Sequence, residues 1–339
     1  MGKHSQGLAF ALFLGLGVLQ PALADEVGRF TVIEENDLFA ARNRDEHYTQ
    51  GGRLGYFSGD LAPDATLAPP NLWGLFDGGK EASRHWELSV EQDIFTPRNK
   101  RLSNPDPRDR PYAGWLHLGF GWIQDTDRSR LDHLGFELGM VGPSSLAAQA
   151  QNRFHLAIDV ATAQGWAFQL HDELAGTIDY ERHWRLAYHE MGSLAFDFIP
   201  EAGATIGNVY DYAEAGGRIR FGRNLLADYG PARLGPGPNG TDYYNPSYIA
   251  EGLPIVAYGF LGTQGRLVGR NIFLDGNSFQ ASRSVSKNLW VGDLEAGFVL
   301  GWQDWLRVSY SWLLRSQEFK HQQGPDHFGS LTLSVVLPL

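Results

Sequence analysis

The chain reads as an all-β protein, a transmembrane antiparallel β-barrel of about twelve strands. Three observations predict this. Segments of about ten residues alternate apolar and polar side chains along most of the sequence. Gly, Phe, Tyr and Trp are abundant, with 41, 20, 13 and 10 copies, and aromatic girdles and closely packed strands use those residues. Beyond residue 24 no uninterrupted apolar run approaches the roughly 18 residues of a helical span, which excludes a helical crossing on length; a soluble β-sandwich could share the composition, and the alternation favours the barrel.

At the start, Lys3 and His4 precede an apolar run from Leu8 to Leu19, and Ala22-Leu23-Ala24 supplies small residues before Asp25. That is the pattern of a secretory signal over 1–24, with a single barrel domain over 25–339. A formal net charge of -11 argues against nucleic acid, which demands a basic footprint. The absence of cysteine fits an exported protein that needs no disulfides.

Alternation then defines the elements in order. Strands are expected over 28–37 and 50–59. Trp86, Leu88, Val90, Gln92 and Ile94 form one face of the next segment, against Glu87, Ser89, Glu91 and Asp93, apolar outside and acidic inside. Strands over 114–124 and 132–142 follow. After Gly142-Pro143, Ser144 to Ala163 is rich in Ala and Gln without alternation and reads as a helix, with Ser144 or Ser145 as N-cap. Such an insertion is expected at the barrel mouth or in the lumen. Ile178, Tyr180, Arg182, Trp184, Leu186 and Tyr188 form another row. Further strands are expected over 193–202, 204–210, 213–222, 253–264, 287–301 and 303–316, and Leu331, Leu333, Val335, Leu337 and Leu339 mark the last. Gly235-Pro236-Gly237-Pro238-Asn239-Gly240 has the composition of a long extracellular loop.

Against this frame a few residues stand out. Glu35-Asn36-Asp37 and His47-Tyr48-Thr49-Gln50-Gly51 cluster polar groups at the ends of the first two strands, where a wall that only spans lipid has no use for them. Asn36 and Asp37 offer oxygen ligands that suit a hard cation such as calcium, and an Asx turn is the ordinary alternative. His155 is the candidate general base, because imidazole titrates near neutral pH. Gln151, four residues earlier on the expected helix, shares its face. A packed helical histidine is the ordinary alternative. Lys100 and Arg101 follow Thr96-Pro97 and form either a solvated pair or a clamp for a phosphate or developing oxyanion. Neither a Gly-x-Ser-x-Gly elbow nor a His-Glu-x-x-His helix is present.

As a set these residues resemble the lipid A 3'-O-deacylase family of Gram-negative outer membranes. The resemblance runs over most of the mature chain. It rests on Glu35-Asn36-Asp37, Tyr48-Thr49-Gln50-Gly51, Gln92 to Pro97 with Lys100-Arg101, Asp109 to Trp115, Val141-Gly142-Pro143, Gln151 to His155, and Gly165-Trp166 with Gln169. It implies a twelve-stranded barrel with a lumen-covering helix and a site between that helix and the wall, near the outer leaflet. It also implies calcium-dependent hydrolysis of the 3'-linked acyloxyacyl group of lipid A, the partner being lipopolysaccharide in the outer membrane. By position, Asn36 and Asp37 fall on the metal corner, His155, Gln151, Thr49 and Lys100 on the catalytic set, and Lys100 and Arg101 on the substrate-binding pair.

Two departures matter. Ala161 stands where the family carries an acidic residue six positions after the helix histidine, with Asp159 the nearest carboxylate. The chain also ends Leu337-Pro338-Leu339, without the terminal aromatic usual for barrels. Two other functions fit the composition: a non-enzymatic barrel, either porin or surface-binding protein, and a Ser-His phospholipid acyl hydrolase using a strand serine such as Ser89 or Ser309.

Overall fold

The computed structural model describes residues 28–40, 47–72, 74–77, 82–234, 241–249, 254–303 and 305–336. The expected signal segment 1–24, the Gly235–Gly240 loop and the Leu337-Pro338-Leu339 terminus lie outside the described residues.

The strands are β1 (Arg29–Asn36), β2 (His47–Phe57), β3 (Ser83–Thr96), β4 (Ala113–Thr126), β5 (Arg130–Val141), β6 (Glu173–Trp184), β7 (Ala187–Met191), β8 (Leu194–Gly207), β9 (Tyr210–Arg223), β10 (Ile255–Asn271), β11 (Trp290–Trp302), β12 (Leu306–Arg315) and β13 (Asp326–Val336). Each pairs antiparallel with its neighbours. β1 pairs with β13, and both β6 and β7 pair with β8, so the sheet closes on itself. β6 and β7 are two pieces of one stave, which makes a twelve-stave barrel. The expected strands 193–202 and 204–210 are not separate: residues 194–207 run as one strand through Gly203, and the chain turns at Asn208.

Side chains sort as the alternation requires. Val32, Leu54, Leu88, Leu118, Leu138, Ile178, Leu261 and Leu333 are all exposed on the outside, a continuous apolar band. Water-exposed proteins rarely display such a surface; in a bilayer it carries no penalty. Facing inward, Glu87, Ser89 and Glu91 are buried, as are Arg220, Arg307 and Arg315.

The lumen is filled, and not by a helix. Described parts of the connection from β9 to β10, residues 224–234 and 241–249, fold back inside: Tyr229, Ala232, Leu234, Tyr243 and Tyr244 are buried. The Leu234 amide donates to Glu35 Oε1 at 2.9 Å, at the far end of β1 from the chain termini. Asp228 in this plug accepts from Arg307 at 2.7 Å and from Arg220. Such an occupied interior opposes the pore reading.

The helix is shorter than expected and lies elsewhere. α1 spans Ala147–Ala157, and a 3-10 turn over Pro143–Ser145 precedes it. Ser144 and Ser145 belong to that turn, because Pro143 starts it immediately after Gly142 at φ 99°. Leu146, at φ 59°, becomes the cap residue, while the Ser145 hydroxyl still accepts from the Ala147 amide at 3.4 Å. Asp159 ends the helical run at φ 59°, a conformation Asp tolerates better than most residues. α1 packs on β3 and β4, from outside. Ile94 and Gly114, which share the outward rows of Val90 and Leu118, meet it: Ile94 is buried with Ala147, Tyr112, Ala163 and Trp166. A Cβ at Gly114 would sit 2.2 Å from the Ala147 methyl, so only glycine permits this approach. The expected lumen-covering helix is therefore an outer-wall helix.

Candidate functional site

Where α1 meets the wall, buried polar side chains gather: Asn36, Asp37, Thr49, Gln151 and His155. Outward rows that are apolar lower on the barrel turn polar here: Val32 gives way to Glu34 and Asn36, Leu54 to Gln50, Val90 to Gln92. Gln50 donates to Glu34 at 2.9 Å, and Gln92 donates to the Ser145 carbonyl at 2.6 Å, tying the wall to the turn before α1.

Asn36 is the last residue of β1, and Asp37 opens a 3-10 turn over Asp37–Phe39. Asn36 Oδ1 caps that turn by accepting from the Leu38 amide at 2.8 Å, so the Asx geometry expected as the ordinary reading is present. The turn bends across the outside, where Phe39 lies against Gly329 and its carbonyl accepts from the Tyr310 hydroxyl at 2.8 Å. Both Asn36 and Asp37 are buried. Thr49 is the extra residue of a bulge between Tyr48 and Gln50, and its hydroxyl lies 2.7 Å from that of Thr96. The bulge lets Tyr48 face the lumen, bonded to Asp93, while Gln50 faces out.

Lys100 sits on the loop between β3 and β4. Its carbonyl accepts from the Gln164 amide at 2.9 Å and from the Tyr112 hydroxyl at 3.4 Å, which pins the loop to the chain returning from α1. Its ammonium nitrogen is out of solvent. Burial draws the Lys100 ammonium down to about 8, against the pull of the nearby Asp37 carboxylate. Burial also lowers His155 below its ordinary value, and the Lys100 charge lowers it further. Lys100 is thus within coulombic range of both Asp37 and His155, and joins the β1 corner to the helix.

Ala147, Gln151 and His155 form the buried face of α1, at intervals of four. The missing acid at Ala161 has a substitute in the backbone. His155 Nδ1 lies 3.0 Å from the Ala161 carbonyl, which can only accept, so Nδ1 carries the proton and Nε2 the lone pair. Asn152 fixes this return by accepting from the Ala163 amide at 3.0 Å. Asp159 is exposed and serves the helix end instead. Gln151 is oriented just as firmly. Its Oε1 accepts from Trp166 Nε1 at 3.0 Å, and because indole only donates, the amide cannot be flipped. Gln151 Nε2 is buried without a hydrogen-bond partner among the described residues, so two donors await an acceptor.

Arg101 does not join this set: it is exposed on the rim, its amide bonded to Asn99 Oδ1 at 3.2 Å. Sequence reasoning gave no role to Trp166, Tyr112, Thr96 or the Ala161 carbonyl. Gly165-Trp166 was visible as a motif, but a backbone carbonyl leaves no sequence signal. Ser89 bonds Glu91 at 2.7 Å and Ser309 is buried, both on the lumen side, so the wall separates them from His155 and no Ser-His pair forms there. Leu146, Leu156, Ile158 and Val160, in α1 and the residues flanking it, are exposed apolar side chains.

A family described as outer membrane protein LpxR matches residues 8–337 of the chain. Among solved structures, LpxR from Salmonella typhimurium superposes with a TM-score of 0.74 at 20% identity, covering 91% of this chain and 100% of that one. The β domain of the Bordetella autotransporter BrkA aligns over 92% of this chain and 100% of its own, at 11% identity and a TM-score of 0.43. No curated protein sequence matches the chain.

Proposed function

Since this chain belongs to the LpxR family of outer membrane proteins, we propose that it is a carboxylic ester hydrolase that removes the 3'-linked acyloxyacyl group from lipid A in the Gram-negative outer membrane. The observation that supports the reading is the burial of Asp37, Gln151 and His155 on the outer side of the wall, with the Lys100 charge acting on both Asp37 and His155. A bilayer lipid reaches that side laterally, without entering the barrel.

The chemistry follows from the two oriented side chains. His155 Nε2 takes a proton from a water, and the water oxygen bonds to the ester carbonyl carbon. The carbonyl oxygen gains charge, which the unpartnered Gln151 N–H groups and the Lys100 ammonium are suited to receive. The bond from carbon to the sugar 3'-oxygen breaks, and the proton held on His155 passes to that oxygen. A free acyloxyacyl acid and a 3'-hydroxyl result. Thr49, held by Thr96, positions the water, and exposed Arg101 takes a lipid A phosphate at the rim.

Calcium suits the donors at this corner. Asn36 Oδ1, the Asp37 carboxylate and the Thr49 hydroxyl are all oxygens, and a carbonyl-type Oδ1 that caps one amide still has a second lone pair. When bound, the ion supplies Lewis-acid polarisation of the ester carbonyl.

The test is mass spectrometry of lipid A from a Gram-negative host that lacks such an activity, expressing either the protein or its His155→Ala variant. The wild type should yield lipid A lighter by one acyloxyacyl unit, and the variant should not. Unchanged lipid A with a folded wild-type barrel would remove the reading.

A further inference from the structure

On the other side of the wall, the lumen holds a second group of ligating side chains that this chemistry does not use. A cavity of about 50 Å³ lies behind β3, β4 and β5, lined by six carboxylates, Glu87, Glu91, Asp93, Glu137, Asp179 and Glu181, together with Arg53, His117 and His133. Within it the ligand atoms of Glu91, His117 and Glu137 all lie within 4.8 Å of one another. The register explains why: Glu91 is directly opposite His117, and Glu137 is opposite Gly119, one lumen-facing step along β4.

A cluster of acids alone would mean little. His117 supplies the independent observation. It is 3% exposed, and neither ring nitrogen has a hydrogen-bond partner among the described residues. Asp93 Oδ2 stands 3.6 Å from Nε2, an ion-pair distance beyond hydrogen-bond reach. Its ring is held flat on Trp115, with centroids 3.6 Å apart and 14° between planes. A buried imidazole with both nitrogens unsatisfied costs free energy unless something else occupies them.

The neighbouring trio His133, Asp179 and Glu181 shows the contrast. There Nε2 lies 3.1 Å from Glu87 and Nδ1 3.2 Å from Asp179, so carboxylates bracket the ring on both sides, an ion pair already complete. Arg53 is likewise committed to Glu87 at 3.2 Å and Glu91 at 3.3 Å. Around His117 the balance is short of positive charge: Glu137 has the Thr177 hydroxyl at 2.7 Å, and Asp93 the Tyr48 hydroxyl at 3.2 Å. Ser89 and Arg53 both address Glu91 Oε1, so Oε2 has neither of these partners.

We propose that Glu91, His117 and Glu137 form a lumenal site for a divalent cation of the zinc class, separate from the outer site at α1. One imidazole and two carboxylates match the three-protein-ligand pattern of zinc, with water or Asp93 as fourth donor. An ion about 2.0–2.2 Å from each ligand needs only small side-chain shifts. Thr177 and Ser89 are the outer partners that hold the carboxylates in orientation. The ion ties β3, β4 and β5 together directly behind the wall on which α1 rests.

The experiment uses the whole mature barrel in detergent, stripped with EDTA and titrated with zinc chloride by calorimetry, in an Asp37→Ala, His155→Ala background that removes the carboxylate and the imidazole of the outer site. One zinc per chain should bind, raise the unfolding temperature and show one imidazole by X-ray absorption. His117→Ala and Glu137→Gln should each abolish this binding, and Thr177→Val, which keeps all three ligands, should weaken it by about 10–100-fold. Folding of every variant is read from heat-dependent gel mobility. Absence of stoichiometric zinc in the parent, or full binding in both His117→Ala and Glu137→Gln, overturns the site. If those two variants do not fold, undiminished affinity in Thr177→Val overturns it.

Discussion

The two faces of the same strands tell polar residues apart by where they stand. In the lumen, charged groups such as Arg220, Asp228 and Arg307 occupy positions that alternation assigns to polar side chains, and they meet one another across the barrel. On the outer face, Glu34, Asn36, Gln50 and Gln92 occupy positions where lipid demands apolar ones. Polar residues in the lumen satisfy the fold. Polar residues in an apolar row are excused only by local partners: Gln92 has the turn before α1, Gln50 and Glu34 have each other, and Asn36 caps the turn that follows it. Position relative to the pleat, more than residue type, marks the site.

Substitutions on the two faces should separate accordingly. The largest effect is expected for His155→Ala, which should lower deacylation by about 10²–10⁴-fold without changing barrel folding, the range for a lost general base. Ser309→Ala, on the lumen face, should leave the rate unchanged; initial rates on micellar lipid A compare them. Gly114→Val should cost about 10²-fold, because its side chain would collide with Ala147 and lift α1 from the wall, a misplacement of an ångström or more. A normal rate in that variant would mean the helix position is immaterial. Gln151→Leu should lose about 10²-fold, as for one oxyanion donor, with Trp166→Phe milder at roughly tenfold for one lost hydrogen bond. Equal kcat in all three proteins would dismiss the amide. The smallest change is expected for Arg101→Ala, less than about fivefold and confined to KM, since exposed charges contribute under about 1 kcal/mol.

Much of this was legible before any coordinates. The alternating rows of β3, β6 and β13 gave the barrel, and Asn36, Asp37, Lys100, Gln151 and His155 were visible as a set. The side of the wall was not. Gly142-Pro143 and the Ala-rich run signal a helix, but the contact that places it outside is Gly114 against Ala147, a pair 33 positions apart whose small size carries no chemical signature. One hint was available: Gln92 interrupts the apolar row of Leu88 and Val90. The lumen plug was hidden for a similar reason, since Tyr229, Leu234, Tyr243 and Tyr244 lie outside any alternating row and carry no signal of which way they turn. The expected strands 193–202 and 204–210 are one strand because Gly203, which falls between them, sits within the pairing, where a Cβ would lie 2.7 Å from the Tyr180 carbonyl oxygen.

The central claim is that Lys100 brings its charge beside His155 on the outer wall. Carbon-13 histidine NMR of the barrel in micelles tests this without relying on turnover. His155 should titrate below its ordinary value, so it remains neutral and able to accept a proton at pH values where a solvated histidine is already charged. Removing the neighbouring charge in Lys100→Met takes away one of the two downward influences, so the titration should move up toward about 6.5. A His155 titration that is the same in both proteins would contradict the account.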